Sequence, residues 1–416
     1  MNRNPPPPER VHVKKESISV GRPSLLRHTN ALMILKLLRE AGSCSRADLV
    51  RASGLSAPTV TNVVSDLLAA NLIKPLGEGE SSGGRPPDMI SFKAERGCLL
   101  AIEIKAGFLS FLLTDLRGTQ LDASTVTLLN RPTNPDAICL LIRDEIRRLL
   151  RKQRVPREQL LALVVGVPAI ANVDQGIVVS ISTLENWRSV PLRTLLSKVV
   201  DCLIIIENDT NLAALGERFR GAAQFEETFI SINIGTNVSA GIVLGGRVHH
   251  GAQWSAGEIA YLRLPNVSRR YPALHEFGEL ETVLTSEGIL RSWDEEFAKS
   301  DGQAKSHKDQ MTALGILDLA HSGDARARKI VQQRAVIVSD IIINLSLILN
   351  PGLILLGGEV GSHPALLSLV QKQLEKSEFG VTKIATARLG DTAALWGAIA
   401  VALDEIPFVL LPQPAS

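Results

Sequence analysis

Apolar and polar residues recur along this chain with two different periods, and the change falls near Gly97. From Asn30, in "NALMILKLLREAG", Leu32, Leu35 and Leu38 return at helical spacing and Gly42 gives the stop. In the next stretch, "SRADLVRASGLSAPTVTNVVSDLLAANLI", Ser45 is placed to cap a short helix carrying Leu49 and Val50, and Gly54 to make a turn. Ser56 then caps another helix, with Pro58 in its first turn. Val60, Val63, Val64, Leu67 and Leu68 share the inward face of that helix, whereas Thr59, Thr61, Asn62 and Ser65 look outward. "LIKPLGEGESSGGRPPDMISF" reads as two short strands around a Gly/Ser-rich tip. Together these predict a winged helix-turn-helix over residues 27–95. Residues 1–26 hold a proline run and scattered charge, a composition expected to stay without fixed structure.

Beyond Gly97 strands alternate with helices. "CLLAIEIKAGFLSFLLTDLRGTQLDASTVTL" predicts three strands with tight turns at Lys105–Gly107 and Arg117–Gly118. A helix from Pro135 to Arg151 follows, then the strand "LLALVVGVPAI", then "IIIEND" and its helix. A second run of strands with glycine turns starts at "TFISINIGTNVSAGIVLGGRVHHG". The repetition implies two similar α/β lobes with a cleft between them, expected over residues 96–215 and 216–416. The second lobe is expected to contain dimerisation helices, including the one around Ile337–Leu349, and the C-terminal helix. The most apolar stretch, Val336–Leu356, is interrupted by Asp340, Asn344, Asn350 and Pro351, so it predicts a buried helix and strand and no membrane contact.

Charge changes the picture in one respect. The net charge of +2 conceals 13 Lys/Arg against 8 Asp/Glu up to Lys93, an excess of +5 that leaves −3 for the remainder. A basic end on a near-neutral body suits nucleic acid. Small hydrogen-bonding side chains at Thr59, Thr61, Asn62 and Ser65 suit base edges and phosphates in a major groove, and Arg85 of "GGRPP" suits a minor groove. The alternative is a three-helix protein-interaction module with merely solvated polar residues. The expected partner is a double-stranded DNA operator, read by a homodimer or tetramer. Cys44, Cys98, Cys139 and Cys202 form no CxxC and "MNRNPPPPER" has no apolar signal core, which fits the cytoplasm.

"IENDTNLAALGE" crowds Glu207, Asn208, Asp209 and Asn211 at a strand-to-helix junction, the place where open α/β sheets bind ligands. There Asp209 could be a catalytic base, a ligand anchor or a helix cap.

"IENDTNLAALGE", "IGTNVSAGIVLGGRVHHGAQWSAGEI", "GVPAIANVDQGIVVSISTLENW" and "NPGLILLGGEVG" together resemble the ROK family of bacterial sugar kinases and sugar-responsive repressors. The resemblance runs from about Asn30 to Leu403. It implies the α/β class: an N-terminal winged helix-turn-helix followed by two actin-like (RNase H-like, sugar kinase-like) lobes. The repressor branch is the one that adds such an N-terminal module. In family kinases the aspartate matching Asp209 takes a proton from a sugar hydroxyl, and the residue matching Asn208 binds sugar. Those kinases hold phosphate on an Asp-x-Gly-Gly-Thr-like turn. Here Glu103 replaces the Asp, Lys105 and Ala106 the glycines, and Gly107 the Thr. The turn Gly235–Gly241 and the pair Gly357–Gly358 are better kept. One intact half does not make an ATP site, so Asp209 is expected to anchor a ligand, with no catalytic residue and no cofactor.

The resemblance also implies ligand contacts from Glu258 and Glu281, and from Tyr261 where the family has a histidine. That histidine and three cysteines hold a structural zinc in the family. The cysteine positions fall on Pro272, Leu274 and Glu279, and His275 alone cannot supply four ligands, so no metal is expected. His249, His250 and His275 read as surface or loop histidines, Glu359 as a solvated turn residue. The loop over the sugar falls on Asn186–Trp187, with Thr183 at its usual sugar-contacting asparagine. The expected function is a sugar-responsive repressor. The alternatives are a sugar kinase with an added DNA module and a sensor of a non-sugar metabolite or partner protein.

Overall fold

The structure is a computed structural model describing residues 23–78, 87–181, 183–265, 267, 278–300, 311–377 and 382–412. The described chain divides into two compact units: the residues up to Lys93 with the last few of the chain, and Ala94–Val409.

In the first unit, helices α1 (Pro23–Ala41), α2 (Arg46–Ser53) and α3 (Ala57–Ala69) bury Ile34, Leu35, Leu38, Leu49, Val60, Val63, Val64 and Leu67 against one another. Leu32 and Leu68 are only partly buried. The turns form as local chemistry requires. Ser45 and Asp48 make a reciprocal capping box, Gly54 takes φ 69° at the end of α2, and Ser56 caps α3. A three-stranded sheet completes the unit. Strand β1 (Ser43–Ser45) pairs with β3 (Asp88–Phe92), which pairs antiparallel with β2 (Ile73–Glu78). β2 and β3 are the wing strands; its tip, including Arg85, lies outside the described residues.

The second unit contains two sheets of the same topology. The first-lobe sheet has β4 (Cys98–Ile104), β5 (Phe108–Asp115), β6 (Gln120–Thr127), β7 (Leu160–Val167) and β11 (Leu203–Asn208) in the order β11-β7-β4-β5-β6. Between β7 and β11 the chain makes a small antiparallel sheet of β8 (Ala171–Asn172), β9 (Ile177–Ser180) and β10 (Arg188–Val190). Helices α4 (Pro135–Gln153) and α5 (Leu192–Ser197) contribute to this lobe's core, and α6 (Asp209–Arg220) starts where β11 ends.

The second-lobe sheet has β12 (Phe229–Ile234), β13 (Val238–Leu244), β14 (Arg247–Val248), β15 (Leu353–Gly357) and β16 (Lys383–Thr386) in the order β14-β13-β12-β15-β16. In both sheets three antiparallel strands precede two that add in parallel. Helices α7 (Glu281–Leu284), α8 (Ser286–Ser300), α9 (Ala313–His321), α10 (Ala325–Leu349), α11 (Gly358–Gly361) and α12 (Pro364–Leu374) belong to this lobe, and α13 (Ala393–Leu410) ends the fold. By length and composition α10 and the segment Gly390–Leu410 could each cross a membrane. The buried face of α10, including Ile330, Val338 and Ile341, nevertheless fills the second-lobe core, followed by the wholly buried β15.

Three boundaries differ from the sequence reading. α1 begins at Pro23, inside the segment expected to be an unstructured tail, and residue 215 falls within α6. The C-terminal helix, expected with the second lobe, crosses α6 at two glycines and reaches the β5–β6 turn of the first. A Cβ on Gly216 would lie 2.0 Å from the Ala393 carbonyl oxygen, and one on Gly397 1.7 Å from that of Leu212. Farther along, Leu403 and Ile399 pack beside Gly118, and the Arg220 guanidinium stacks 3.9 Å over Trp396 while donating to the Gly118 carbonyl.

Candidate functional site

The register of the first sheet brings the ends of three strands level with one another. Glu103 on β4 lies opposite Gly166 on β7, and Gly166 lies opposite Glu207 on β11. A side chain at Gly166 would strike Leu212 at 2.9 Å and approach the Asp209 Cα at 3.7 Å, so the helix start seats directly on the sheet edge.

Asn208 is the N-cap of α6. Its Oδ1 accepts from the Asn211 amide at 3.0 Å and its Nδ2 donates to the Ala169 carbonyl at 3.2 Å. That assigns the capping duty to Asn208 and leaves Asp209 in the first helical turn with the Thr210 hydroxyl at 3.4 Å. Burial raises the Asp209 carboxyl to about 6, against the lowering effect of hydrogen bonds from Thr210 and of the Lys105 charge. The Thr210 hydroxyl also meets Ser239 Oγ at 2.7 Å, which joins α6 to β13 beside Gly241.

Glu258 is also raised, by burial and then by the charge of Glu281. Its loop is sewn to β13: Ala240 donates to the Gly257 carbonyl at 2.8 Å, and Gly257 takes φ 93° where a Cβ would meet the Ala240 oxygen at 1.9 Å. Glu281 is committed to its own backbone. It accepts from Gly278 N at 2.8 Å and Val238 N at 3.2 Å, although burial outweighs these bonds and raises its carboxyl. Tyr261 packs its ring against the second-lobe core. Of the former zinc positions Glu279 is buried, while Pro272 and Leu274, with His275, lie outside the described residues. Among the described residues no three His, Cys, Asp or Glu side chains gather as a metal site.

Two pairs escaped the sequence reading. Glu207 accepts from Asn208 N at 2.8 Å and Asn211 Nδ2 at 3.0 Å, and its other oxygen meets His250 Nε2 at 2.7 Å. His250 belongs to the second lobe, so a loop histidine turns out to join the two lobes. The clue was a glutamate inside the buried run "LIIIEN", which needs a partner. The other pair is Lys105 Nζ and Glu103 Oε1, 3.2 Å apart at the end of β4 and the turn into β5. Burial pushes Glu103 up to about 7 even with that cation beside it. The turn closes on itself, Lys105 N donating to the Phe108 carbonyl at 3.0 Å.

The loop candidates divide. Trp187 is buried and donates from Nε1 to the Thr133 carbonyl at 2.6 Å, the role of a core tryptophan. Asn186 is exposed with φ 61°, and Thr183 is exposed. Ser286 donates its hydroxyl to Glu359.

On α3 of the first unit Thr61, Asn62 and Ser65 are exposed and Thr59 partly so. Thr61 and Ser65 donate to the carbonyls of Ala57 and Thr61, which keeps their oxygens available as acceptors, and Thr59 shares its hydroxyl with Ser56.

The ROK family model matches residues 99–405, most of the chain. The chain belongs to the ROK family. A winged helix-turn-helix DNA-binding model matches residues 27–74, so this ROK protein carries a DNA-binding domain ahead of its paired lobes. It is 25% identical over 352 residues to a xylose repressor of Bacillus spizizenii, covering 84% of this chain and 88% of that one. A solved ROK family transcriptional regulator, described as a homologue of the Escherichia coli Mlc protein, superposes with a TM-score of 0.78 at 24% identity. It covers 93% of this chain and 98% of its own. A ROK hexokinase of Thermus thermophilus gives 0.61 at 25% identity, with 99% of its length on 74% of this chain. The kinase is thus matched in full with a quarter of this chain left over.

Proposed function

We propose that this protein is a transcriptional repressor, with Thr59, Thr61, Asn62, Ser65 and Arg85 contacting a double-stranded operator, and that its interlobe cleft binds a sugar or sugar derivative. Asn208, Asp209, Glu258, Tyr261 and Glu281 are its ligand residues, Glu281 acting through the loop it holds. The supporting observation is the desolvated Asp209 carboxylate: relieved of capping by Asn208, it suits the paired hydroxyls of a carbohydrate.

The cleft binds and does not catalyse. Phosphoryl transfer requires phosphates and metal held in line, whereas the β4–β5 turn carries Lys105 and Ala106 where the kinase pattern has glycines, with Lys105 paired to Glu103. The protein works without a cofactor or structural metal. It acts in the cytoplasm on chromosomal DNA, away from membranes, as a homodimer or tetramer. Leu347 and Ile348 at the end of α10, 57% and 76% exposed, favour a subunit contact there.

The test is selection of genomic fragments by the purified protein, followed by titration of the winning fragment with a panel of sugars. Salt-sensitive, sequence-selective binding that one sugar weakens supports the reading. Equal affinity for all fragments, or sugar-dependent ATP consumption, overturns it.

A further inference from the structure

The mechanism of ligand capture leaves one buried group unused. Glu103 is 4% exposed, and while its Oε1 takes the Lys105 ammonium, its Oε2 is buried with no hydrogen-bond partner. A buried acceptor without a donor is destabilising, and more so when charged. It lies on β4 opposite Gly166, over which the start of α6 with Asp209 sits.

The surroundings define what could complete it. The charges of Asp209 and Asp391 both act on Glu103, and Lys105 is the cation acting on it. A corner with more carboxylates than cations disfavours a phosphate or a second carboxylate. It does not gather a metal-binding set among the described residues. What fits is a hydrogen-bond donor: a hydroxyl, or better an ammonium.

We propose that Glu103 and Lys105 form a second recognition corner of the cleft, in which Glu103 Oε2 accepts a hydroxyl or ammonium proton from a neutral or amino sugar and against which phosphorylated and acidic sugars are rejected. The inference rests on the cleft being a sugar site. The corner vacated by phosphate chemistry becomes a specificity element. Lys105 holds one carboxylate oxygen in place and moderates the negative charge, while the other oxygen reads the ligand.

The experiment uses the full chain and isothermal calorimetry with xylose, glucose, glucosamine, glucose 6-phosphate and glucuronate. It compares the wild type with Glu103→Gln, Lys105→Ala and Asp209→Asn, each first checked for an intact melting transition. A neutral or amino sugar should bind the wild type at least about tenfold more tightly than its phosphorylated or acidic counterpart. Glu103→Gln should weaken that sugar by about tenfold, most for glucosamine, and narrow the gap to glucose 6-phosphate. Lys105→Ala should widen the gap, which keeps the test open if Glu103→Gln folds poorly. Tightest binding of glucose 6-phosphate overturns the proposal, as does stabilisation by magnesium alone that depends on Glu103. Sugar binding lost in Asp209→Asn but untouched by Glu103→Gln removes the corner and leaves the cleft reading standing. Failure of every sugar on the wild type removes both.

Discussion

Glu207 and His250 join the two lobes, Oε2 to Nε2 at 2.7 Å, with one residue on each. Glu207 is fixed from behind by Asn208 N and Asn211 Nδ2, so it presents a preset acceptor to the histidine. The hydrogen bond to Glu207 raises the His250 pKa, helped by its charge and that of Asp174 and opposed by desolvation.

This pair makes lobe docking depend on pH. A histidine raised above its unfolded value of 6.5 contributes fully below that value, and the contribution is lost as pH rises through the folded-state value. The melting temperature of the wild type should therefore exceed that of His250→Gln at pH 6, with the difference shrinking by pH 8.5. Parallel curves across that range would show that the contact carries no proton linkage.

Asp209→Asn should weaken effector binding by about one to two powers of ten, the loss of one charge-assisted hydrogen bond at roughly 1.5–3 kcal/mol. Operator affinity without effector should stay nearly intact. Because Asn208 performs the capping and burial raises the Asp209 carboxyl to about 6, the melting temperature should not fall, and above that pH it should rise somewhat. A large loss of stability with unchanged ligand affinity would mean a structural role.

Glu103 is shifted in the same direction as His250, so its contribution also falls as pH rises, here as a penalty at high pH where the His250 contribution is a gain at low pH. Its carboxyl is raised from 4.5 to about 7, so the folded chain holds a proton that the unfolded chain releases between those values, and stability falls across that window. Glu103→Gln should raise the melting temperature of the ligand-free protein by a few degrees at pH 8 and by much less at pH 5. The site thus sacrifices stability in the empty state for recognition. An unchanged melting temperature at pH 8 would contradict this.

Elemental analysis of protein purified without chelator should give well under one zinc per chain, since Tyr261, Pro272, Leu274 and Glu279 stand where the family's thiols and histidine would be. Full occupancy would mean that other residues supply the ligands.

In the DNA-binding unit Asn62→Ala should relax sequence preference at one operator position at a cost of roughly 1–3 kcal/mol. Arg85→Ala should weaken binding across sequences and flatten the salt dependence. Competition with mutated operators, measured by fluorescence anisotropy at two salt concentrations, separates the two outcomes.

The sequence carried whatever depends on local pattern. Ser45, Gly54 and Ser56 announced α2 and α3 because capping is a short-range bond, and the duplicated strand order was visible because each sheet is built from consecutive apolar runs. The small sheet of β8, β9 and β10 was not visible, since its strands of two to four residues are too short to set a period. Long-range polar pairing was equally hidden. Glu217 looked like an ordinary helical glutamate, yet it is buried and accepts from Ala222 N, Arg388 N and Leu389 N, tying α6 to the approach to α13. His250 looked like a loop residue because nothing in its neighbourhood of sequence announces Glu207.

Where α6 and α13 cross, Gly216 and Gly397 bring the two backbones into direct touch. Helices that interlock through large side chains resist sliding, because each increment of rotation forces rotamers to change. Here the crossing has no such teeth. The two axes approach as closely as backbone allows, with no space left between them for a side chain. A methyl group at either glycine would wedge the axes apart. An Ala at Gly216 or Gly397 would meet backbone and not a yielding side chain, so either substitution should lower the melting temperature and displace α6, the helix whose first turn carries Asp209.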